Sequence, residues 1–275
     1  MRAIDPLGLV IRLSGFPSPR LRARLDLRRQ RLGGDFGSRV AEEFVRAGDV
    51  VLDIGARWGT YTSLLARAVG PTGLVHAFEP NRRHSRALRS IARAAGNVRV
   101  HSFALSNEAG GAALHIPLVG DRPSDGLASL DRPIGPHRTV QIERRRLDDL
   151  EFERIDFIKC DVEGHELAVL RGGEATLRRL RPPVLVEIEQ RHPGADVELT
   201  LEYLEDLGYS GYTVHRDTLR PTAEFDLEHD QLALLASRPA SGWMMPPEYV
   251  HDFLFVPAGV EVAHLLAPEP MPSTR

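Results

Sequence analysis

From residue 50 onward, short apolar runs alternate with longer stretches that have helical periodicity. The apolar runs are rich in Val, Ile, Leu and Phe, as expected of strands that are buried on both faces. The first five elements are predicted as strand, helix, strand, helix and strand, at residues 50–54, 60–68, 74–78, 82–95 and 98–104. This order gives a βαβαβ unit, which is half of a doubly wound sheet.

The same alternation returns in the second half of the chain. We predict strand, helix, strand and helix in turn at residues 155–160, 165–180, 184–188 and 197–207. The first of these helices is expected to break near Gly172-Gly173, and two closing strands follow near 209–214 and 231–236. The fold class is therefore α/β, with a Rossmann-like doubly wound sheet that is mostly parallel and has an antiparallel closing strand.

Residues 117–138 interrupt the alternation of strands and helices. They contain four prolines and three glycines, so they cannot form one regular element. We predict a long loop between two extended segments, at 112–116 and 139–144. Loops of this length inside a compact domain are uncommon and are often functional.

The two ends of the chain differ from its centre. Residues 20–31 contain six arginines and one aspartate, and the segment beyond Pro239 is rich in proline. We therefore predict a basic helical N-terminal extension at 1–47, a ligand-binding domain at 48–238 and a Pro-rich C-terminal extension and tail at 239–275. In the last region we expect packed aromatic side chains at Trp243, Tyr249, Phe253 and Phe255.

Composition narrows the classes of function. The chain has 35 Lys plus Arg against 38 Asp plus Glu, for a formal charge of −3, which argues against a general nucleic-acid binder. No apolar run approaches the roughly 18 residues of a membrane helix. The single cysteine, Cys160, excludes an internal disulfide and a cysteine-based zinc site. We expect a cytoplasmic protein with no nucleic-acid partner and no integral membrane association; its oligomeric state is open.

The first candidate site lies where the first predicted strand turns into a helix, at Asp53-Ile54-Gly55-Ala56-Arg57-Trp58-Gly59. Glycines there let the backbone approach a ligand, and the helix N-terminus favours a negative group. A dinucleotide fold uses G-x-G-x-x-G to seat a pyrophosphate, whereas this loop has G-x-x-x-G after an acid. S-adenosylmethionine fits better, because Asp53 could bind its ammonium directly or through water. A tight turn without a ligand is the alternative.

The second candidate is Glu79, which follows the second predicted strand in the run Ala77-Phe78-Glu79-Pro80-Asn81. A carboxylate at this position accepts both ribose hydroxyls of a bound nucleoside. Dehydrogenases use the same device, so Glu79 alone does not separate the two enzyme classes. An acid at the start of a helix is the structural alternative.

The third candidate is the run KCDVEGHE at residues 159–166. Side chains alternate faces along a strand, so Lys159, Asp161 and Glu163 project to the same side where the strand ends. That edge of an open α/β sheet faces the ligand crevice. Lys159 is also the single lysine among the 35 basic residues. A purely structural ion cluster is the alternative to a reaction centre.

Taken together, these motifs resemble the FkbM-type methyltransferases. The resemblance covers residues 48–190 and includes Leu147-Asp148-Asp149-Leu150 before the fourth strand. Lys-x-Asp-x-Glu-Gly-x-Glu is its most specific part, since the glycine loop is common to most class I methyltransferases. The family implies S-adenosylmethionine as cofactor and O-methylation of a sugar, glycan or small metabolite hydroxyl.

The resemblance also implies roles for individual residues. It implies cofactor contacts at Asp53, Gly55, Gly59 and Glu79, to which we add the neighbours Ala56, Arg57 and Asn81. It implies a reaction centre around Lys159, Asp161 and Glu163. The family's loop usually reads Gly-Ala-Asn, whereas this chain has Arg57 at the third position. Arg57 either forms an ion pair with the cofactor carboxylate or fills part of the pocket.

Methyl transfer to a hydroxyl requires alignment of the reactants and a proton acceptor. Neighbouring carboxylates would raise the pKa of Lys159, so we predict that this lysine stays charged, paired with Asp161 or Glu163, and orients the reaction. Asp161 or His165 is the better base; a cap or surface contact is the alternative for His165. Ser129, Asp125 and His137 are candidate acceptor contacts, and Asp148 and Asp149 are expected to be structural.

Oxygen ligands for a metal could come from Asp161 and Glu163 with Glu187 or Glu189. Their spacing matches no dedicated metal motif, so we predict no metal site. The chain lacks the Asn/Asp-Pro-Pro-aromatic motif of amino-directed nucleic-acid methyltransferases. It also lacks the pyrophosphate-binding loop of nicotinamide oxidoreductases. A degenerate nucleoside-binding scaffold, favoured by Arg57, is the remaining alternative to an enzyme.

Overall fold

The computed structural model describes residues 25, 37–192, 194–215, 218–237, 245–246, 248–260 and 262. Its strands are β1 (Val50–Ile54), β2 (Leu74–Phe78), β3 (Val98–His101), β4 (Ala104–Leu105), β5 (Gly110–Val119), β6 (Arg122–Pro123), β7 (His137–Arg145), β8 (Phe157–Cys160), β9 (Val184–Glu187), β10 (Tyr209–His215), β11 (Thr218–Pro221) and β12 (Asp252–Pro257). Its α-helices are α1 (Gly37–Phe44), α2 (Thr60–Ala68), α3 (Arg82–Ala95), α4 (Glu166–Arg171), α5 (Glu174–Leu180), α6 (Val197–Asp206) and α7 (Ala233–Ala236).

Eight of these strands form one mixed sheet in the order β11-β10-β12-β9-β8-β1-β2-β3. The strands from β9 to β3 pair in parallel, and β12 pairs antiparallel with both β9 and β10. The order turns back between β1 and β8, so the carboxyl ends of these strands flank the crevice in which open α/β sheets bind ligands. The expected Rossmann-like class I architecture is confirmed.

Local sequence explains where the helices near this crevice begin and end. The Asn81 side chain caps α3 by accepting from the backbone N–H of Arg83 at 3.0 Å, as asparagine does at helix starts. Gly96 ends α3 in a left-handed conformation, which glycine adopts without strain. The Asp196 side chain caps α6 in the same way as Asn81 caps α3. The first four elements of the βαβαβ unit have their predicted bounds, whereas the third strand, predicted at 98–104, ends at His101, and Ala104 belongs to β4.

Apolar side chains pack on both faces of the sheet. In β1, Val51 belongs to the core formed with α1 and α2, while Leu52 belongs to the core on the opposite face, with α4, α5 and α6. Phe157 and Ile158 divide in the same way along β8. This burial on two faces explains why the central strands read as nearly continuous apolar runs.

The predicted long loop belongs to a second, smaller sheet. Strands β5 and β7 form an antiparallel hairpin, with β4 and β6 at its edges in the order β4-β7-β5-β6. Residues 120–136 connect β5 and β7 and include the short strand β6 and one turn of 3-10 helix at Asp125–Leu127. We call this connection the hairpin loop.

The prediction of a closing strand at 231–236 is wrong. Residues Glu228–Leu232 form a π-helical turn that continues into α7. The antiparallel strand is β12, which lies beyond residue 238, where the sequence analysis places the end of the ligand-binding domain. Its side chains Phe253 and Phe255 are fully buried, as expected for these aromatic residues.

Two predictions for the ends of the chain fall on residues that the structure does not describe. The basic run at 20–31 lies outside the described residues except for Leu25, and so does Trp243. The described part of the N-terminal region is α1, which packs against α2 and β9. Within the described residues, no helix has the length and apolar character needed to cross a membrane.

Candidate active site

A cleft opens at the carboxyl edge of the main sheet. Its floor is formed by the ends of β1, β2 and β8, and the hairpin loop forms its cover. The cleft brings together residues that the sequence assigned to two different tasks: Gly55, Arg57 and Glu79 for the cofactor, and Asp161, Glu163 and His165 for the reaction.

Gly55 makes the close approach of β1 and β8 possible. It has a φ of 82°, and a Cβ at this position would lie 1.7 Å from the backbone oxygen of Asp161. No side chain fits there without moving the backbone of the strand next to it. The absence of a side chain at Gly55 therefore lets the ends of the two strands lie close together at the floor of the cleft.

Glu79 is a buried carboxylate that is held by backbone amides. Its Oε2 accepts the N–H of Arg57 at 2.9 Å, and its Oε1 accepts the N–H of Asn81 at 2.7 Å. An ionised carboxylate has about four acceptor positions, so two remain for ligand hydroxyls. The two amides fix the orientation of this side chain at the end of β2.

The position of Arg57 follows from its backbone conformation and from its contact with the hairpin loop. Its backbone lies in the left-handed region, with φ 46°, and its guanidinium lies against Gly126 of the hairpin loop. A Cβ on Gly126 would be 2.2 Å from Nη2 of Arg57. Arg57 therefore lines the cleft and contacts its cover.

Sequence analysis missed His84, which lines the same cleft. Its side chain is 2% exposed, and Nε2 forms no hydrogen bond with any described residue. Nδ1 lies 3.7 Å from Oε1 of Glu79, and Nε2 lies 3.7 Å from Oδ2 of Asp125 in the hairpin loop. The ring packs on Trp58, with 4.2 Å between centroids. His84 thus presents a buried polar atom beside Glu79.

The turn after β8 is shaped by the last acid of the KCDVEGHE run. Glu163 has a φ of 57° and Gly164 a φ of 101°. The buried carboxylate of Glu166 accepts the N–H groups of Val162 and Gly164 at 3.0 to 3.2 Å. Burial raises the pKa of Glu166 to about 7, although these backbone hydrogen bonds oppose the shift. Glu166 therefore stabilises the turn that displays Asp161 and Glu163.

Lys159 is 1% exposed and lies among three carboxylates. Its Nζ is 3.9 Å from Asp161, 3.8 Å from Glu187 and 4.0 Å from Asp252, and it lies over the Tyr61 ring at 5.2 Å. Burial alone would lower the pKa of this lysine, but the three carboxylates outweigh burial and raise it. The ammonium stays charged, as predicted. Of the two predicted partners, Asp161 lies within ion-pair distance, and Glu187 and Asp252 lie equally near.

Two acids beside Lys159 have perturbed titration. Burial and the nearby Asp161 raise the pKa of Glu187 well above its usual range. Asp53 lies next to Lys159 across the β1–β8 pair; it accepts the hydroxyl of Thr62, and burial raises its pKa to about 6. Carboxylates therefore outnumber the ammonium in this part of the protein.

His165 is held between two side chains at the edge of the cleft. Nδ1 lies 2.8 Å from Oδ2 of Asp131, and Nε2 lies 2.9 Å from the hydroxyl oxygen of Ser106. Asp131 comes from the hairpin loop, so this loop fixes the ring orientation. The predicted alternative of a simple helix cap does not describe His165, which forms no side-chain cap hydrogen bond.

Glu163 faces a cation that the sequence did not pair with it. Nε2 of His192 lies 2.9 Å from Glu163 and 3.4 Å from Glu189, and Arg191 binds Glu189 through two nitrogens. Burial lowers the pKa of His192, but the hydrogen bonds to the two glutamates dominate and raise it to about 9. Burial raises the pKa of Glu163, and its hydrogen bond to His192 opposes that shift.

Several predicted site residues lie away from the cleft surface. Among the described residues, those that line the cleft do not include Asp53, Ala56, Gly59, Asn81 or Lys159. Asn81 instead caps α3 and orients Glu79. For these residues, direct contact with a cofactor or substrate stays a prediction.

The structure brings two of the three predicted acceptor contacts to the cleft. Asp125 and Ser129 line the cleft, whereas His137 is turned to the backbone oxygen of Gly135 at 2.9 Å and is not among the residues that line it. Asp148 accepts the N–H groups of Ala175 and Thr176 at the start of α5. Asp149 forms an ion pair with Arg146. Both aspartates are structural, as expected.

The residues that sequence reasoning missed come from four separate segments. His84 lies in α3, Asp131 in the hairpin loop, His192 after β9, and His251 and Asp252 at the start of β12. His84 carried a signal, because it is five residues past Glu79 in an otherwise arginine-rich helix. The others carried none, since only long-range packing brings them to β8 and β9.

Comparison with known proteins agrees with this geometry. The family described as Methyltransferase FkbM domain matches residues 49–210, more than half of the chain. The hexuronic acid methyltransferase AglP of Haloferax volcanii is 30% identical over 153 residues, which cover 54% of this chain and 58% of AglP. The chain thus matches less than two thirds of the length of that relative.

Solved structures of methyltransferases are also similar to this chain. Methyltransferase FkbM from Methylobacillus flagellatus has a TM-score of 0.48 at 18% identity, over 76% of this chain and 43% of that chain. The S-adenosylmethionine-dependent O-methyltransferase of Thermotoga maritima has a TM-score of 0.43 at 16% identity, over 80% and 64%. The family match over residues 49–210 shows that this chain belongs to the FkbM methyltransferases, a family whose methyl donor is S-adenosylmethionine.

Proposed function

We propose that this chain is an S-adenosylmethionine-dependent O-methyltransferase that acts on a hydroxyl of a sugar, a glycan or a small metabolite. The observation that carries the proposal is one cleft lined both by Gly55 and Glu79 and by Asp161, Glu163 and His165. A nucleoside cofactor bound in such a cleft would lie beside titratable groups. Similarity to a hexuronic acid methyltransferase supports a sugar acceptor.

The residues present fit a nucleoside with a vicinal diol. Glu79 faces the cleft with two acceptor positions in use and two available. Nε2 of His84 is buried in the same wall without a hydrogen bond to any described residue. We propose that Glu79 binds the ribose hydroxyls and that His84 donates or accepts a further hydrogen bond from the ligand.

The cofactor supplies an activated methyl group, so the protein must align the acceptor and accept a proton. A C–O bond forms as the C–S bond breaks, and the hydroxyl proton passes to a base. We propose Asp161 or His165 as that base, because both line the cleft. Lys159 stays charged beside Asp161 and orients its carboxylate.

The acceptor is proposed to lie between the end of β8 and the hairpin loop. Ser129 and Asp125 line the cleft on the loop side, and Asp125 is held by an ion pair with Arg83 at 3.1 Å. Hydroxyl and carboxylate groups of this kind bind sugar hydroxyls through hydrogen bonds. A polyhydroxylated acceptor matches this wall.

Calorimetry with S-adenosylmethionine tests the cofactor site. We expect binding by the wild-type protein and at least tenfold weaker binding by Glu79→Gln, since the amide loses acceptor capacity for the ribose. Glu143→Gln, an exposed change on β7, is the matched control and should bind normally. Absence of binding to the wild-type protein at millimolar cofactor would overturn the enzyme hypothesis.

Methyl transfer to a panel of acceptors tests the second half of the proposal. The panel contains neutral sugars, hexuronic acids and small metabolites with hydroxyl groups. Mass spectrometry should find a methyl group on an oxygen of a member of the panel in the presence of wild-type protein. A product methylated on nitrogen, or transfer to nucleic acid alone, would contradict the proposal.

A further inference from the structure

The two strands next to β8 bring two acids face to face. Glu187 ends β9, Asp252 begins β12, and these two residues are direct partners in the antiparallel pair. Like charges directly opposite each other destabilise a strand pair. Together with Asp161 they place three carboxylates within 4.0 Å of one ammonium, that of Lys159. The formal charges leave an excess of two negative charges in a largely buried cluster.

The ammonium serves only one side of this acidic pair. Nζ of Lys159 faces Oε2 of Glu187 and Oδ1 of Asp252. The other oxygens face His251: its Nδ1 lies 3.7 Å from Oε1 of Glu187 and 3.9 Å from Oδ2 of Asp252. Nδ1 is buried but forms no hydrogen bond with any described residue. A nitrogen and two carboxylate oxygens therefore converge opposite Lys159.

A second observation points to a ligand at this place. The Asp252 side chain, which supplies one of these oxygens, is 9% exposed, and Nδ1 of His251, which faces both oxygens, forms no hydrogen bond with a described residue. Polar atoms buried in this way are costly unless they are satisfied. The separations of 3.7 and 3.9 Å leave Nδ1 of His251 without a direct partner.

We propose that Glu187, His251 and Asp252 form a binding site for one divalent cation. Their ligand atoms all lie within 4.8 Å of one another. Ligands bound at about 2.1 Å to a first-row cation stand about 3.0 to 3.5 Å apart, so the three side chains have to close in on the ion from their present separations to complete the site. A cation here balances the acidic pair on the side that Lys159 does not reach.

The donor set selects among cations. One imidazole nitrogen with two carboxylates suits manganese or a similar transition metal better than calcium, which prefers six to eight oxygen ligands. A second cluster, Glu163, Glu189 and His192, has the right residue types. There, however, Arg191 already binds Glu189 through two nitrogens. The cation site is therefore assigned to the β9–β12 pair.

This site lies beyond the proposed function. Glu187, His251 and Asp252 are not among the described residues that line the cleft, so a cation held by them would not contact the acceptor. The site and Asp161 share Lys159 as a neighbour, so a cation there would influence the cleft only through the charge balance around that lysine. Cation binding itself does not depend on the identity of the reaction.

Electron paramagnetic resonance of Mn²⁺ tests the site without cofactor or acceptor. The full chain, freed of metal with a chelator, should bind one Mn²⁺, and His251→Ala should weaken binding at least tenfold. His251 is 37% exposed in its side chain, so this variant is expected to fold. His192→Ala is the matched control from the second cluster and should bind Mn²⁺ normally. Ca²⁺ in equal amount should displace little Mn²⁺.

A thermal measurement separates the possible outcomes. Mn²⁺ should raise the Tm of the wild-type protein and leave that of His251→Ala unchanged, because a ligand stabilises only the state that binds it. Loss of Mn²⁺ binding in His192→Ala but not in His251→Ala would overturn the assignment. So would a wild-type protein that binds S-adenosylmethionine but no Mn²⁺, and that result would leave the proposed function intact.

Discussion

Lys159 illustrates how a single residue joins packing to chemistry. Its side chain is buried, and its ammonium lies among Asp161, Glu187 and Asp252. Removing one partner of a buried ion pair leaves an uncompensated charge, which is costly. The same ammonium lies 3.9 Å from Asp161, which lines the cleft. Stability and turnover should therefore depend on Lys159 in separable ways.

Replacement of Lys159 by arginine should retain the fold and lose most turnover. The positive charge remains, but the planar guanidinium cannot take the place of a compact ammonium among three carboxylates. Thermal unfolding and methyl transfer, measured on the same preparation, check both parts. Turnover equal to that of the wild type would return Lys159 to a purely structural role.

Lys159→Met addresses stability at the same position. The neutral side chain has a similar length, so the main loss is the charge that balances the buried acids. We expect the free energy of unfolding to fall by about 3 to 5 kcal/mol. Arg178→Met, which breaks an exposed pair with Glu174, is the matched control and should cost less than about 1 kcal/mol.

At the level of single residues, sequence alone identified those whose position follows from the strand that carries them. Glu79, Lys159 and Asp161 were assigned to the crevice because each lies in or directly after a parallel strand. The structure places Glu79 and Asp161 in the lining of the cleft, whereas Lys159 is buried beside Asp161 and is not among the residues that line it. His251 and Asp252 were missed because their position depends on β12, which pairs with β9 across more than 60 residues of chain. No local pattern encodes such a pairing.

At the level of elements, the hairpin loop has a specific task. It carries Asp125 to His84, Gly126 to Arg57 and Asp131 to His165. The sequence predicted a long and functional loop from its prolines and glycines. It did not predict these contacts, since they depend on how the hairpin folds back over the main sheet.

Asp131→Asn should reduce kcat at least tenfold while leaving S-adenosylmethionine binding unchanged. Asp131 lies 2.8 Å from Nδ1 of His165, and a carboxylate in this position holds an imidazole in one orientation and stabilises its charged form. Asp131→Glu, which keeps the carboxylate, should retain more turnover. Asp148→Asn, the same change at the start of α5, is the control and should leave kcat unchanged. An unaltered kcat in Asp131→Asn would show that this contact does not position the base.

Strand β12 shows where local sequence misleads. Residues 231–236 read as an apolar run that suits a strand, but Leu and Ala are strong helix formers, and this segment forms a π-turn and α7. The antiparallel partner comes instead from a region that its prolines marked as an extension. Nonlocal pairing decided the outcome.

A chain that ends at residue 238 should therefore fail to form the native sheet. Removing β12 takes away the strand that pairs with both β9 and β10. It also exposes the core residues that pack against the buried side chains of Phe253 and Phe255. We expect loss of the cooperative thermal transition, measured by circular dichroism. A chain that ends at residue 262 keeps β12 and should unfold cooperatively. Cooperative unfolding of the shorter chain would mean that β12 is dispensable.

At the level of the whole molecule, the order of strands places acids and bases from distant segments in one network. His192 follows β9 and contacts two glutamates. Glu163 follows β8, and Glu189 follows β9. Family membership and the parallel part of the sheet were predictable because the motifs and the alternation of strands and helices are visible locally in the sequence. The network was not, because it forms only when the carboxyl ends of the strands meet. Its titration should be visible in the stability of the entire fold.

The stability of the folded protein should accordingly depend on pH through His192. Its pKa is raised from 6.5 to about 9 in the folded state, so the folded state holds this proton more tightly than the unfolded chain. The resulting stabilisation is fully present below pH 6.5 and is lost as the pH rises through about 9. A shift of this size corresponds to roughly 3 kcal/mol.

Urea unfolding of the wild type and of His192→Gln checks the sign. The difference in the free energy of unfolding between the two proteins should be largest near pH 6 and should shrink as the pH approaches 9.5. Comparison of two proteins at each pH cancels the titration of groups that both share. His229→Gln, at an 85% exposed histidine, is the matched control and should show a small and nearly constant difference. A difference for His192→Gln that grows with pH would mean that His192 is neutral in the folded protein, and the ion pair with Glu163 would then contribute nothing to the fold.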